Sequence, residues 1–432
     1  MLYLAPVLDV GALPTLTEVG FSGGRNSFRD FCVRMFAADA PRFLRTDDNA
    51  LVVFRHADLR AIGAKREIAN VPPAVLAQRG ASARATEDEK PPREAIVRVL
   101  SNQVFFANDP IHGPIRRALL NQMGPKSTDQ LEPLARQIVT ELLSGLGSAT
   151  EFDLVADLAE QLTVKFWGAL IGLTDAEIAE LTPCVRAMTP LLYMQRDFDQ
   201  SIHLNQAFEL YGRIIERGAL RSLEAGAHPF VEGLAAELAR IRFDDDPERA
   251  GIVPANVGLL IAGNLFDGFH TAALAAANTI FALSSRPKTR EQIRETPSLL
   301  AGAVTEALRL EPPVILLNRY VLDDVVIDDF SIPKGSTVVM MWGAGNQDPK
   351  AFPVPGDFDP TRSHQGVTTF GGGLHICPGR FVSVMLTRVL LEVLSETAIE
   401  LEPLETHGQW IDGHKMCQLR AFPVRVHRRS KN

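Results

Sequence analysis

The chain has 432 residues and a mass of 47.3 kDa, with 46% hydrophobic and 22% charged residues, so it can bury a large core without a disulfide or metal staple. Lys and Arg number 44 against 52 Asp and Glu, a net charge of −8 and a pI near 5.7, which argue against nucleic acid as a partner. Cys32, Cys184, Cys377 and Cys417 are widely scattered with no C-x-x-C pair, which excludes a zinc ribbon, a cysteine-ligated iron–sulfur cluster and a disulfide framework.

The opening MLYLAPVLDVGALPTL lacks the basic region of a signal peptide and is broken by Pro6 and Asp9, so a soluble, cytoplasmic protein is expected. Asn26–Ala38 has a helical apolar pattern, and Pro41–Phe54 reads as a hairpin about Asp47, Asp48 and Asn49. Val71–Pro92 has the composition of a long loop. Helices are expected over Leu131–Leu146, Phe152–Ile171, Asp175–Met194 and Ile202–Ala225. Val253–Leu283 reads as a long, nearly uncharged helix, the kind buried at the centre of a domain. Its longest apolar stretches, Val257–Ile261 and Ala272–Leu283, are shorter than the ~20 residues that span a bilayer, so no membrane association is expected. Beyond Pro312 the texture turns to strands: Val325–Ile327 and Thr337–Trp342 about the turn Pro333–Gly335, then a Pro- and Asp-rich meander at Asp348–Pro360. A last helix is expected from about Pro378 to Leu394, followed by strands ending near Val424. The reading is mainly α with a small β portion in a single domain, 1–432. Its β-rich edge lies at approximately 40–60, 314–345 and 398–428, and its helical core at approximately 114–311 and 378–395.

The segment FGGGLHICPGR, Phe370–Arg380, is the most informative. A lone cysteine is most often a small buried hydrophobe. Here three glycines permit a tight loop, and Pro378 suits a helix start. A cysteine at a helix N-terminus is favoured as thiolate. With no second cysteine, further ligands to a bound metal come from a prosthetic group, and haem on one axial thiolate satisfies this.

The segment resembles the haem-binding loop of the cytochrome P450 family, F-G-x-G-x-H-x-C-x-G, matching at Phe370, Gly371, Gly373, His375, Cys377 and Gly379. The resemblance extends from near residue 40 to 427. Glu306 and Arg309 in EALR are taken alone a common surface pair. In the resembled family that pair is buried and joined by a meander arginine, for which Arg362 stands here. GNQDPKAFPVPGDFDP matches the family's meander, with Gln347 where an arginine is usual. The resemblance implies haem b on Cys377, with His112, Arg116, Arg319 and His375 as donors to its propionates. After the cysteine, Pro378 replaces a leucine and Ser383–Leu386 replace an Ala-Arg-x-Glu, a change on the surface where an electron donor docks.

In the long helix the family's A-G-x-acid-Thr is read here as Asp267-Gly268-Phe269-His270-Thr271. Thr271 then corresponds to the alcohol that bonds dioxygen. His270 replaces the acid, either as a satisfied interior histidine or as a proton relay near neutral pH. Asp267 replaces an alanine, with three readings open: a pair with His270, a contact to substrate, or a bland role in which it turns towards water or caps a neighbouring backbone group at Gly268. The resemblance implies a monooxygenase that takes electrons from a ferredoxin or flavodoxin and oxidises a lipophilic small molecule. A peroxide-using or rearranging variant and a non-catalytic haem sensor are the alternatives. By family position the substrate walls are Phe105, Phe106, Leu181–Met194, Phe266, Val314, Leu316, Leu317 and Met416.

Overall fold

The computed structural model describes residues 5–72, 93–147, 150–242, 246, 248–397 and 399–428. Most of the loop expected over Val71–Pro92 lies outside them. The fold is mainly helical with a small sheet portion. Contacts separate two compact units that interleave along the chain. The first comprises 1–71, 288–377 and 410–418; the second comprises 72–287, 378–409 and 419–432.

The first unit is built on a five-stranded sheet. The expected hairpin is Leu44–Arg45 against Leu51–Val53, turned through Asn49 at φ 63°. Leu51–Val53 pairs in parallel with Thr337–Met340, which runs antiparallel to Leu317–Val321, and Ile68–Ala69 closes the far edge. Val325–Ile327 instead forms its own hairpin with Phe330–Ile332. Thr337 therefore belongs to a different sheet from the strand expected to precede it, and Trp342 opens a short helix, Trp342–Gly345. Phe43, Leu59, Ile62, Val321, Val338 and Trp342 lie in one core under this sheet.

The second unit is helical. Its centre is the long helix Val257–Ser284, which packs against Phe198–Ala225, Glu160–Ile171 and Arg380–Glu396. It starts at Val257 because Asn256 caps it, accepting from the Leu259 amide at 2.9 Å. Its length and composition would suit a membrane span, but 72% of its most apolar window is buried inside the protein. Capping boxes start Asp175–Ala187 at Thr174 and Phe198–Ala225 at Asp197. Asp175–Ala187 ends before the expected Met194, giving way to a 3-10 turn at Thr189–Leu192. Phe152 is not helical: Glu151–Asp153 is a strand against Pro423–Arg428, which also pairs with Ile399–Pro403. The last helix is Arg380–Glu396, two residues later than Pro378.

Candidate active site

In the first unit the chain doubles back through Phe370–Cys377. Gly371 and Gly373 have φ of +76° and +66°, backbone that side chains rarely adopt. A Cβ on Gly373 would also lie 2.0 Å from the Gly63 carbonyl oxygen. The turn lets the Cys377 amide donate to the Phe370 carbonyl at 2.9 Å. Cys377 is half-buried, whereas Cys32, Cys184 and Cys417 are buried. Burial pushes those three thiols up, which keeps them protonated and unreactive. Cys377 is the cysteine with the access a metal ligand needs.

Glu306 and Arg309 are fully buried, with guanidinium–carboxylate distances of 2.8 and 2.9 Å. Arg362 Nε donates to Glu306 Oε1 at 3.0 Å, as does the Asp359 amide at 3.1 Å. His364, which sequence reasoning did not single out, lies 3.5 Å from Glu306 Oε2. Burial pushes the Glu306 carboxyl up, but the hydrogen bonds and charge of Arg309, with the Asp359 amide, outweigh it and leave it below the usual carboxylate range.

This cluster is tied to the cysteine loop. Arg309 donates to the Asn346 carbonyl at 2.8 Å. The Asn346 side chain accepts from the Thr368 amide at 2.7 Å and donates to Thr369 Oγ1 at 2.9 Å. Thr368 and Thr369 directly precede Phe370. The buried charges thus position the loop rather than merely add stability.

Two candidate anion donors lie in this unit. The Asn70 carboxamide lies 2.9 Å from His375 Nδ1 and orients the ring. Arg319 is 3% exposed on Leu317–Val321, and burial lowers its pKa to about 10. A carboxylate brought to such a guanidinium is strongly favoured. Of the expected substrate walls, Val314 pairs with Met416 through an isolated bridge, Leu316 and Met416 are buried, and Leu317 is half-buried.

In the second unit His112 heads the helix His112–Met123, its amide donating to the Asn108 carbonyl at 2.8 Å. Arg116 follows one turn later, half-buried on the same face. On the long helix, Asn264, Asp267, Gly268 and Thr271 form a half-buried face amid buried neighbours. Thr271 Oγ1 donates to the Asp267 carbonyl at 2.7 Å, leaving its oxygen as an acceptor. His270 is buried.

The Asp267 carboxylate accepts from the Gln103 carboxamide, a partner outside the three readings open to sequence. Burial raises its pKa to about 6 against the opposing Gln103 hydrogen bond. Asn264 clamps the same segment, accepting from the Val104 amide at 2.9 Å and donating to the Asn102 carbonyl at 3.1 Å. Gly263 permits the approach, since a Cβ there would lie 2.6 Å from the Asn102 carbonyl carbon. Phe105 and Phe106 follow directly, ring centroids 5.1 Å apart. Phe266 turns into an aromatic cluster with Phe208 and Tyr211 at 5.1 and 6.4 Å.

The sequence model of the family described as Cytochrome P450 matches residues 232–408. Cytochrome P450 144 of Mycobacterium tuberculosis is 30% identical over 308 residues, 71% of this chain and 68% of its own. The mycinamicin IV hydroxylase/epoxidase of Micromonospora griseorubida is 27% identical over 85% of this chain and 87% of its own. The ligand-free structure of cytochrome P450 TbtJ1 superposes with a TM-score of 0.75 at 23% identity, covering 94% of this chain and 99% of that one, a likeness of fold.

Proposed function

The chain belongs to the cytochrome P450 family and is a monooxygenase; on that premise we propose that it inserts one oxygen atom of O2 into a lipophilic small molecule, drawing electrons from a ferredoxin or flavodoxin in the cytoplasm. The observation that carries this is Cys377, half-buried at the end of a loop that two left-handed glycines fold back on itself.

The family implies haem, and the side chains present fit it. Cys377 is the accessible cysteine, and His375 and Arg319 lie in the same unit as donors for the propionates; the family resemblance assigns His112 and Arg116 the same role. We assign the cofactor as haem b, with Phe370, Gly371 and Gly379 shaping the loop about its ligand. When bound, haem supplies oxygen activation at iron, where thiolate donation favours O–O cleavage.

The chain's own residues bind, orient and move protons. Thr271 offers an acceptor oxygen because its proton is committed to the Asp267 carbonyl. His270 and Asp267 are the titratable groups of the same turn, and a carboxyl with pKa about 6 exchanges protons readily near neutral pH. Phe105 and Phe106 give the substrate site an apolar wall that excludes water.

The test is turnover of a ligand that shifts the haem spectrum. With a ferredoxin, its reductase, NADPH and O2, the wild type forms oxygenated product. Thr271→Ala consumes NADPH but releases more peroxide and less product. Turnover with peroxide alone, and none with the electron-transfer chain, would assign the peroxide-using chemistry instead.

A further inference from the structure

The middle glycine of the loop differs from its neighbours. Gly372 has φ −160° and ψ 175°, extended backbone open to any residue. A Cβ on it, however, would meet the outer ring edge of Trp342 at 3.2 and 3.3 Å. The same edge meets the end of the helix His56–Gly63, where a Cβ on Gly63 would lie 2.8 Å from Trp342. The pyrrole side of the indole faces Gly371, at 3.8 to 3.9 Å from an added Cβ.

Trp342 is 1% exposed, and its indole N–H has no hydrogen-bond partner among the described residues. A buried, unsatisfied donor costs stability. The residue is therefore held by shape rather than by its polar atom. Its backbone adds to the same purpose, because the Trp342 carbonyl accepts from Thr368 Oγ1 at 2.6 Å, two residues before Phe370. Carbonyl and ring thus hold the entry half of the loop, from Thr368 to Gly372.

We propose that Trp342 is the positioning residue of the Cys377 loop, a wedge between Gly63 and Gly372 that sets how the cysteine is presented. The proposal rests on the assignment of Cys377 as axial ligand for its consequence, but the wedge itself can be read without haem. Gly372 is then glycine because of Trp342, not because of its backbone conformation. An alanine there forces either the loop or the indole to move.

The experiment is a double-mutant cycle on the full chain with Gly372→Ala, Trp342→Phe and the pair. Trp342→Phe removes the outer ring edge that an alanine at 372 would strike. Two readouts are taken: the alkylation rate of Cys377 by iodoacetamide, followed by peptide mass spectrometry, and the ferrous–CO spectrum of the holoenzyme. The buried Cys32, Cys184 and Cys417 are internal controls for global unfolding. Gly372→Ala is expected to raise Cys377 alkylation several-fold with the three controls unchanged. It is also expected to move part of the CO band from the long-wavelength thiolate position to shorter wavelength. The pair is expected to restore both. Gly372→Ala indistinguishable from wild type, or a pair no better than Gly372→Ala, would overturn the wedge. A wild type with no thiolate band but the alkylation pattern described would sink the ligand assignment and leave the wedge standing. If Gly372→Ala does not fold, Trp342→Phe alone decides: unchanged alkylation and CO spectrum would contradict the positioning role.

Discussion

Glu306 shows how one residue's setting becomes a stability prediction. Its carboxylate is fully buried and shared between Arg309 and Arg362. Truncation to alanine leaves Arg309 buried without its counter-ion, a loss of ~3–5 kcal/mol, so Glu306→Ala should melt far below wild type and retain little haem. A variant that keeps wild-type melting and haem content would contradict this. The pH dependence follows from the sign of the shift. The folded-state pKa lies below the usual value of 4.5, so the stabilisation is complete above that value and is lost as pH falls below it. Asp267 has the opposite sign, with a folded-state pKa raised from 3.8 to about 6. The folded state holds its proton longer, so this group's contribution declines as pH rises from about 4 to 6 and stays low above. Asp267→Asn should therefore raise the melting temperature at pH 7.5 relative to wild type and do little at pH 4. An equal change at both pH values would show that the carboxylate is not strained by burial. The Glu-x-x-Arg spacing made Glu306 and Arg309 legible in sequence. Gln103 was not, since it lies 164 residues from Asp267 and carries no local pattern.

At the scale of elements, apolar periodicity made most helices readable, but not all their starts: expected at Val253 and Ile202, two helices begin at Val257 and Phe198, where Asn256 and Asp197 cap them by accepting from the first turn. Short strands were less readable. Glu151–Asp153 is three residues long and is defined by a partner near residue 424, so no local periodicity distinguishes it from the helix that follows. The docking of segment 102–104 on the long helix was likewise hidden, because it depends on a missing side chain at Gly263. Gly263→Val should push that segment off the helix, at a cost of ~1–3 kcal/mol for an overpacked contact, and weaken ligand-induced spectral shifts through Phe105 and Phe106. Wild-type ligand affinity and stability in Gly263→Val would show that the close approach has no role in shaping the site.

At the scale of the whole molecule, the P450 fold was legible because its motifs are dense in the last third of the chain. The interleaving was not. Among the described residues no linker marks the passages between the two compact units at 287, 377, 409 and 418. The functional assignment converges on one atom, the sulfur of Cys377. The most direct measurement is the ferrous–CO difference spectrum of the purified holoprotein and of Cys377→His. The wild type should show the long-wavelength Soret band of thiolate ligation, and Cys377→His should lose it while the Cys32, Cys184 and Cys417 variants keep it. A wild type without that band, or a Cys377→His variant that retains it, would contradict the assignment of Cys377 as the axial ligand.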